Sequence, residues 1–426
     1  MRIAVAVSGG VDSLCALWRL HQDGHEVLAV HGLFLPPGED IPPRQTADDA
    51  LSVTVRLPAS CGNATGDLPP ARLFCLDPAD VPASAPLLPA PLADSLSPAL
   101  PGLRQNCRKL GIPLYLLDAR ALFDACVVRP FVRAYAAGQT PNPCALCNRH
   151  IKFGILAAAA RELQADLATG HYARLGTLPE TGGLTLTSAA DSAKDQGYFL
   201  ALVPPAALER VHFPLDSLRK QDCLQAVRAA GLSVPLPGES QEICFIPPHE
   251  DAYRDFLQER WKQEGIPCPA VGPVLLRWRQ EDGHMAERPL GRHNGLWRYT
   301  EGQRRGLGIA HSEPLYVLAK DMSRNALLVG GRSLLGMHTC LTRPANFFLP
   351  PDRWQAMPAA GETLRVRLRY RQQPVPARVG IRPDGGLHIC PAPHSGPHFP
   401  SAPGQVAAVY DAQGRMLAGA LISDIS

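Results

Sequence analysis

A glycine-rich hexapeptide near the N-terminus is the clearest candidate for chemistry. Residues 8–13 read SGGVDS and follow a short apolar run, residues 2–7, that is typical of a buried parallel strand. Helical apolar spacing begins directly after them. A glycine-rich turn between a strand and a helix points backbone N–H groups at an anion, and the helix N-terminus adds a partial positive charge. The hexapeptide therefore predicts a phosphate-binding site. The Gly-Lys-Ser/Thr ending of a Walker loop is missing.

Two cysteine-containing segments are the second candidate. Cys144 and Cys147 form a CxxC pair within residues 140–153 (TPNPCALCNRHIKF), and Cys244 lies within residues 239–246 (ESQEICFI). A CxxC pair can be a redox couple, half of a metal site or two core residues. A free thiol has a pKa of about 8.5, which basic neighbours lower. The basic residues that follow Cys147 are Arg149, His150 and Lys152.

The elements that position these residues follow from the apolar pattern. Strand, turn, helix and strand succeed one another over residues 2–30, and the alternation resumes at residues 103–117 and 153–170, which predicts a doubly wound parallel sheet. Residues 36–103 are rich in Pro and Ala, so we predict a largely irregular surface insertion or lid there. From about residue 285, short β-like runs with frequent turns predict a small barrel or sandwich.

Composition narrows the class of protein. The formal net charge of +3 does not by itself indicate a nucleic-acid partner. No run approaches the roughly 18 apolar residues that a membrane-spanning helix needs. Twelve Cys in a chain without an export signal favour reduced thiols and a cytoplasmic protein.

Several motifs together carry a family resemblance. Residues 8–13 resemble the loop of ATP pyrophosphatases, which transfer AMP from ATP to an oxygen and release pyrophosphate. The segment at 140–153 and the one at 240–246 then follow in the order of a known family, together with residues 110–113 (LGIP), 169–174 (TGHYAR), 194–199 (KDQGYF) and 299–309 (YTEGQRRGLGI). Outside residues 36–103, the chain resembles the bacterial tRNA-specific 2-thiouridylases, which place sulfur on the wobble uridine of certain tRNAs.

The resemblance implies an α/β plus β fold with three domains. Residues 1–210 would form an ATP pyrophosphatase domain that carries the insertion at 36–103. Residues 211–280 would form a small central domain carrying Cys244, and residues 281–426 a C-terminal β-barrel that contacts tRNA. The positions implied to contact ATP are Ala6, Val7, Ser8, Gly9, Gly10, Val11, Asp12, Ser13 and Gly170. The positions implied to contact tRNA are Asn142, Pro143, Cys144, His171, Lys194, Asp195, Gln196, Arg369, Tyr370 and Gln405.

The implied reaction joins adenylation to sulfur insertion. A pyrimidine carbonyl oxygen is a poor leaving group, and adenylation with ATP and Mg²⁺ would convert it into part of AMP. By resemblance, Cys147 is the nucleophile and Cys244 carries a persulfide; a disulfide bond is a further feature expected of the family. The sulfur donor would be a persulfide-carrying protein or inorganic sulfide.

Cys144 departs from the family, which usually has Asp at this position. Three thiols, Cys144, Cys147 and Cys244, would suit an iron–sulfur cluster with one open iron. The alternatives are a persulfide relay in which Cys144 is incidental, and a structural zinc site with an unidentified fourth ligand. We expect the cluster over the relay, and the relay over zinc.

An arginine-rich run gives separate support for RNA binding. Residues 363–371 (TLRVRLRYR) alternate apolar residues with Arg, and an alternation of period two puts four Arg on one face of a strand. Like charges in one row repel unless a polyanion meets them. A solvated strand face is the alternative, but together with the family resemblance we interpret the run as a phosphate contact.

Two other functions remain open from the residues alone. One is an ATP-pyrophosphatase ligase or amidotransferase that acts on a small molecule, and the other is a non-catalytic tRNA- or cluster-binding relative. The intact loop at residues 8–13 argues against the second. We expect a monomer.

Overall fold

The computed structural model describes residues 1–35, 53–61, 68–76, 96–236, 243–246, 251–336, 339–354, 364–392 and 401–425. The chain divides into two compact units, each made of two stretches. The first unit contains Met1–Val128 and Cys144–Ile243, and the second contains Arg129–Pro143 and Cys244–Ser426. Most of the predicted insertion at 36–103 and the polar start of the Cys244 segment lie outside the described residues.

The strands and helices are numbered in chain order. The strands of the first unit are β1 (Arg2–Ala6), β2 (Glu26–Leu33), β3 (Val53–Val55), β4 (Ala71–Cys75), β5 (Leu114–Asp118), β6 (Asp166–Thr169), β7 (Arg174–Thr177), β8 (Leu184–Thr187) and β9 (Val211–His212). Those of the second are β10 (Gly272–Arg279), β11 (Met285–His293), β12 (Tyr316–Asp321), β13 (Ala326–Gly330), β14 (Cys340–Pro344), β15 (Asn346–Phe347), β16 (Leu364–Arg367), β17 (Val375–Ile381), β18 (Gly386–Pro391), β19 (Val406–Tyr410) and β20 (Met416–Ile425). The helices are α1 (Val11–Gln22), α2 (Leu100–Leu110), α3 (Arg120–Phe123), α4 (Arg129–Ala136), α5 (Pro143–Leu146), α6 (Leu156–Glu162), α7 (Pro205–Leu208), α8 (Lys220–Ala229), α9 (Ala252–Glu264) and α10 (Pro351–Trp354). Two further helical stretches, Asp124–Val128 and Cys147–Ile155, are wound as π-helices.

The first unit is built on a seven-stranded sheet in the order β3–β4–β5–β2–β1–β6–β9. β1 lies between β2 and β6 and is parallel to both. The central residues of β1 and β2 are buried, as expected where helices cover both faces of a parallel sheet. The core joins these strands to the apolar sides of α1 and α2. The predicted doubly wound α/β domain is confirmed.

The prediction for residues 36–103 is wrong where the structure describes them as strands. β4 (ARLFC) pairs antiparallel with β5, and all its residues except Arg72 are buried. β3 pairs with β4 at the outer edge. Prolines flank this run of four apolar residues and one arginine, so the sequence did not predict a strand there. Five residues are nevertheless enough for one strand. Residues 36–52, 62–67 and 77–95 lie outside the described residues.

The second unit contains two sheets. The first has the strand order β11–β10–β13–β12. The second runs β14–β18–β17–β16–β19–β20–β15, and an additional pairing of β14 with β20 closes it into a barrel. Closure leaves few unpaired strand edges. The predicted C-terminal β-barrel is confirmed. Over the described residues, no helix has the length and apolarity needed to cross a bilayer.

Candidate active site

The loop at residues 8–13 is held by its own serines. The Ser13 hydroxyl donates to the Gly10 carbonyl at 2.9 Å and accepts from the Ser8 amide at 3.1 Å. Gly9 has φ +90°, and a Cβ there would lie 2.8 Å from the Ala99 Cβ, so this turn requires glycine. α1 starts at Val11, and none of the described side chains caps its first turn. The first amides of this twelve-residue helix are therefore suited to an anion.

Gly170 lets β6 approach this loop. A Cβ on Gly170 would lie 2.8 Å from the Asp12 carbonyl carbon and from the Ser13 nitrogen. Any larger residue would displace the loop backbone. The expected ATP position at Gly170 is thus adjacent to residues 12 and 13, at the carboxyl end of a parallel strand where such folds place their ligands.

Asp12 is held by two residues that the sequence interpretation did not select. Both carboxylate oxygens of Asp12 lie 2.7 Å from the Lys220 Nζ. The Tyr172 hydroxyl is 3.0 Å from the Asp12 Oδ1 and 3.2 Å from the Cys223 Sγ. Lys220 is the first residue of α8 and carries no motif, so its sequence gives no signal of this role. The loop therefore has a lysine ammonium beside its acidic residue.

His31 is a second residue that the sequence interpretation missed. Its Nδ1 lies 2.8 Å from the Val7 carbonyl, which can only accept, so Nδ1 carries the proton. Nε2 then accepts from the Ser97 hydroxyl at 3.0 Å. Burial lowers the pKa of His31, which keeps the ring neutral. His31 thus fixes the end of β1, where the loop begins.

The thiol-bearing segment changes its helical winding at Cys147. Cys144 lies on α5 and is exposed, and Cys147 is buried at the start of the π-helical stretch. In this winding residue i bonds with residue i+5, so residues five apart lie on one side. Lys152 is five residues after Cys147 and is therefore brought to the side of the thiol. A regular α-helix would turn it away.

Lys152 is oriented by a buried histidine. The Lys152 Nζ lies 3.4 Å from the His171 Nε2, and the His171 Nδ1 lies 2.8 Å from the Thr169 hydroxyl. Burial, and next the charge of Lys152, lowers the pKa of His171 well below its usual range. Neutral His171 therefore accepts from Lys152 and donates to Thr169. That His171 contacts tRNA stays a prediction.

Arg149 acts on Cys61 and on His150. Burial raises the pKa of the Cys61 thiol, and the Ser60 hydrogen bond and then the charge of Arg149 oppose this rise. Burial, followed by the charge of Arg149, lowers the pKa of His150 to about 4. Burial raises the pKa of Cys144, and the charge of Lys152 opposes this rise. Lys152 therefore acts on one thiol of the CxxC pair, Cys144.

Described residues of the insertion support the π-helical stretch. The Cys61 thiol lies 3.8 Å from the Phe153 carbonyl. A Cβ on Gly154 would lie 2.6 Å from the Leu57 side chain. Residues 57–61 therefore pack against the helix that carries Cys147, a contact that the sequence did not indicate.

Two residues of the first unit that are predicted to contact tRNA, Asp195 and Gln196, accept hydrogen bonds from backbone amides of the same unit. The Asp195 carboxylate accepts from the Ala189 amide at 3.2 Å, and the Gln196 side chain accepts from the Tyr172 amide at 3.1 Å. Lys194 is half-buried beside them. The tRNA contacts expected here stay a prediction.

The remaining tRNA positions lie in the second unit. Asn142 and Pro143 are buried. Arg369 donates to the Glu301 carbonyl at 2.6 Å, and the Gln405 Nε2 donates to the Thr140 carbonyl at 2.7 Å. Tyr370 is half-buried in the turn that follows β16.

The arginine-rich run forms a shorter strand than predicted. β16 ends at Arg367, and the chain turns at residues 369–371, so one strand face carries Arg365 and Arg367 rather than four arginines. Thr363 lies outside the described residues. The Arg367 guanidinium lies 5.9 Å from the centre of the Tyr410 ring.

The cysteines are all free thiols, so the expected disulfide is not seen. Cys144 and Cys147 belong to the first unit, and Cys244 is exposed in the second. In the part of the chain that the structure describes, no three His, Cys, Asp or Glu residues are grouped as metal ligands. Most of the cysteines without a motif are buried, as expected of small apolar residues, and Cys268 is exposed.

Three family models match successive parts of the chain. Residues 98–248 match the family model of a tRNA methyl transferase HUP domain, residues 279–331 that of a tRNA methyl transferase PRC-barrel domain, and residues 338–422 that of an aminomethyltransferase beta-barrel domain.

Full-length relatives share one name. A protein of Nitratidesulfovibrio vulgaris (strain DSM 19637 / Miyazaki F) named tRNA-specific 2-thiouridylase MnmA is 43% identical over 423 residues, 99% of each chain. Proteins of the same name from Oleidesulfovibrio alaskensis and Lawsonia intracellularis are 42% and 38% identical, over 100% of this chain and 100% and 99% of theirs. Unlike the family models, which begin at residue 98, these matches extend over the loop at residues 8–13.

Proposed function

Because the chain belongs to the family of tRNA-specific 2-thiouridylases, which are tRNA sulfurtransferases, we propose that it replaces the 2-oxygen of the wobble uridine of tRNA with sulfur at the expense of ATP. The observation that carries the proposal lies in the first unit. The glycine-rich loop contacts Gly170, and the next residue, His171, holds the lysine that follows Cys147 by one helical turn. A nucleotide loop and a thiol segment thus converge on one strand end.

The loop supports the adenylation step. Its backbone amides bind phosphate oxygens, and Asp12 offers a carboxylate for the Mg²⁺ that accompanies ATP. The uridine oxygen attacks the α-phosphorus, and pyrophosphate leaves with the electrons of the broken bond. Lys220, beside Asp12 at 2.7 Å, supplies a positive charge for the departing phosphates.

The thiols support the sulfur step. A persulfide on Cys244 supplies the terminal sulfur, which attacks C2 of the adenylated uridine. AMP then leaves with the former uridine oxygen, and the Cys147 thiolate attacks the Cys244 sulfur to free the product. Cys147 and Cys244 are left as a disulfide, which a reductant must reopen. The charge of Lys152 opposes the rise that burial causes in the pKa of the Cys144 thiol, and a neighbouring cation favours the thiolate form of a cysteine.

The third thiol raises the question of a cluster. Cys144, Cys147 and Cys244 together are the donor set of an iron–sulfur cluster with an open iron. The thiol relay and the cluster use the same three cysteines, and the variants described below distinguish them.

Nucleoside mass spectrometry of tRNA from a deletion strain tests the proposal. We expect 2-thiouridine to be lost on deletion and restored by the wild type and by Cys268→Ser, which replaces an exposed thiol without a motif. Cys147→Ser should not restore it. Persistence of 2-thiouridine in the deletion strain, or full restoration by Cys147→Ser, contradicts the proposal.

Cys144→Ser distinguishes the two ways of holding sulfur. A thiol relay predicts that this variant restores 2-thiouridine and that anaerobically purified wild type is free of iron. A variant that fails, together with iron and broad visible absorption in the wild type, supports the cluster instead. Pyrophosphate exchange into ATP that requires tRNA excludes a small-molecule ligase.

A further inference from the structure

The segment that leads into the thiols is packed in the second unit. α4 begins this segment, Arg129–Pro143, which joins two stretches of the first unit in sequence. The Val132 carbonyl accepts from the Trp261 Nε1 at 3.0 Å, and the Phe131 and Phe245 rings meet edge to face at 5.1 Å. Trp261 and Phe131 are buried and Phe245 is half-buried, so aromatic contacts hold the start of the segment against α9 and residue 245.

The end of the segment is paired with the loop before β19. The Thr140 amide donates to the Pro403 carbonyl at 2.8 Å, and the Asn142 amide donates to the Gly404 carbonyl at 3.2 Å. The Gln405 side chain donates to the Thr140 carbonyl at 2.7 Å. Thr140 therefore has both its backbone groups bonded to residues 403–405. We refer to these contacts as the Thr140 clamp.

A buried ion pair holds the Thr140 side chain. The Lys320 Nζ lies 3.3 Å from the Thr140 hydroxyl, 3.1 Å from the Tyr299 carbonyl and 3.4 Å from the Glu301 carboxylate. The side chains of Lys320 and Glu301 are only 2% and 4% exposed. Removal of either side chain would leave the other charge buried and unpaired, which is costly.

Gly404 allows the close approach. Its φ is +94°, and a Cβ there would lie 3.0 Å from the carbonyl carbon and oxygen of Thr140 and 3.2 Å from the Pro141 Cα. Each of these contacts is with backbone, which cannot rotate away as a side chain can. Gly414 also has a positive φ, +79°, but a Cβ there would meet nothing within 4 Å. Both glycines therefore need a positive φ, but only Gly404 lies against the backbone of Thr140 and Pro141.

We propose that Gly404, Gln405 and Lys320 are positioning residues for the thiol segment, because they fix the backbone of Thr140 and Asn142. Only Pro143, whose φ is restricted by its ring, separates Asn142 from Cys144. A reacting group that is misplaced by about 1 Å can lose about a hundredfold in rate. The inference rests on the proposed function, since it takes Cys147 as a reacting thiol.

The matched pair Gly404→Ala and Gly414→Ala tests the clamp. Hydrogen exchange of peptides covering residues 139–143, without tRNA or ATP, reports on the clamp whether or not the protein is a thiolase. We expect exchange to be about tenfold faster in Gly404→Ala, the ratio that corresponds to about 1.4 kcal/mol. Gly414→Ala should leave this peptide unchanged. The thiolation kcat should fall by about tenfold or more in Gly404→Ala alone, with the KM for ATP within about twofold.

Gln405→Met gives a second test with little risk to folding, since it removes the donor and keeps the length of the side chain. Exchange at residues 139–143 should again rise, and its tRNA affinity is measured separately because the family resemblance also implies a tRNA contact there. Unchanged exchange in both variants overturns the clamp. Faster exchange with an unchanged kcat shows that the clamp is structural only and overturns its positioning role. If the wild type does not thiolate tRNA, the proposed function fails, and the exchange result still decides the clamp.

Discussion

At the scale of single residues, the site joins side chains that are remote in sequence. Residues 8–13, Cys147 and Gly170 could be selected because motifs mark them. Lys220 and His31 could not, since a lysine or histidine without a motif is usually a surface or core residue. Folding brings Lys220 to the carboxylate of Asp12 and His31 to the carbonyl of Val7, and these contacts give the two residues their roles.

Lys220 gives the first prediction at this scale. Lys220→Met removes the cation beside Asp12, so we expect the KM for ATP to rise and tRNA-dependent adenylation to slow by about ten- to a hundredfold, as for the loss of one charged transition-state contact. Pyrophosphate exchange measures both. Lys109→Met is the matched control, since its Nζ bonds the Ala230 and Gly231 carbonyls at the other end of α8. An equal loss in both variants would point to α8 stability rather than to the ATP site.

His150 gives a prediction for how the stability of the fold depends on pH. Burial, and next Arg149, lowers its pKa to about 4 in the folded state, against about 6.5 in the unfolded chain. The unfolded state therefore takes up a proton first as the pH falls, so stability that is present above pH 6.5 is lost toward pH 4. At about pH 5 this loss is about 1–2 kcal/mol.

Urea unfolding at about pH 7.5 and about pH 5 measures this difference. His150→Gln, which cannot titrate, should lose less stability between the two conditions than the wild type. His284→Gln, at an exposed position, should behave as the wild type does. An unchanged pH dependence in His150→Gln would show that other groups account for it.

At the scale of elements, the parallel strands were predictable and their irregular partners were not. The runs at β1, β2, β5 and β6 are apolar and end at turns, which is the pattern of buried strands. β4 was missed because prolines surround it. The π-helical winding at Cys147 has no residue signature, because it depends on how the thiol helix packs against residues 57–61 and His171.

Gly170 gives a prediction at this scale, since it sets the distance from β6 to α1. Gly170→Ala forces apart backbones that lie 2.8 Å from the new Cβ. We expect a loss of about 1–3 kcal/mol in stability, as for overpacking, and a raised KM for ATP. Gly380→Ala is the control, as a Cβ there meets nothing within 4 Å. Urea unfolding and ATP titration measure the two effects; a normal KM for ATP in Gly170→Ala would remove Gly170 from the nucleotide site.

At the scale of the whole molecule, the fold class and the barrel were predictable, but the division of the chain was not. The sequence suggested successive domains, with boundaries near residues 210 and 280 that stay a prediction. Contacts divide the chain into two units that exchange a stretch, with residues 129–143 in the second unit and the residues on either side in the first. The sequence of this stretch does not indicate that it belongs to the second unit. Its partners, Trp261 and Pro403, lie more than a hundred residues downstream.

This exchange has a consequence for the order in which a growing chain folds. Domains generally fold as units during synthesis, starting from the N-terminus. The first unit includes residues up to Ile243, so its sheet must wait for β6 and β9 while residues 129–143 are already outside the ribosome without their partners. Phe131 stays without Phe245 and Val132 without Trp261 until those residues emerge, and Thr140 stays unclamped until residues 403–405 are made. The segment that leads into the reactive thiols is thus among the last parts of the protein to acquire its native contacts.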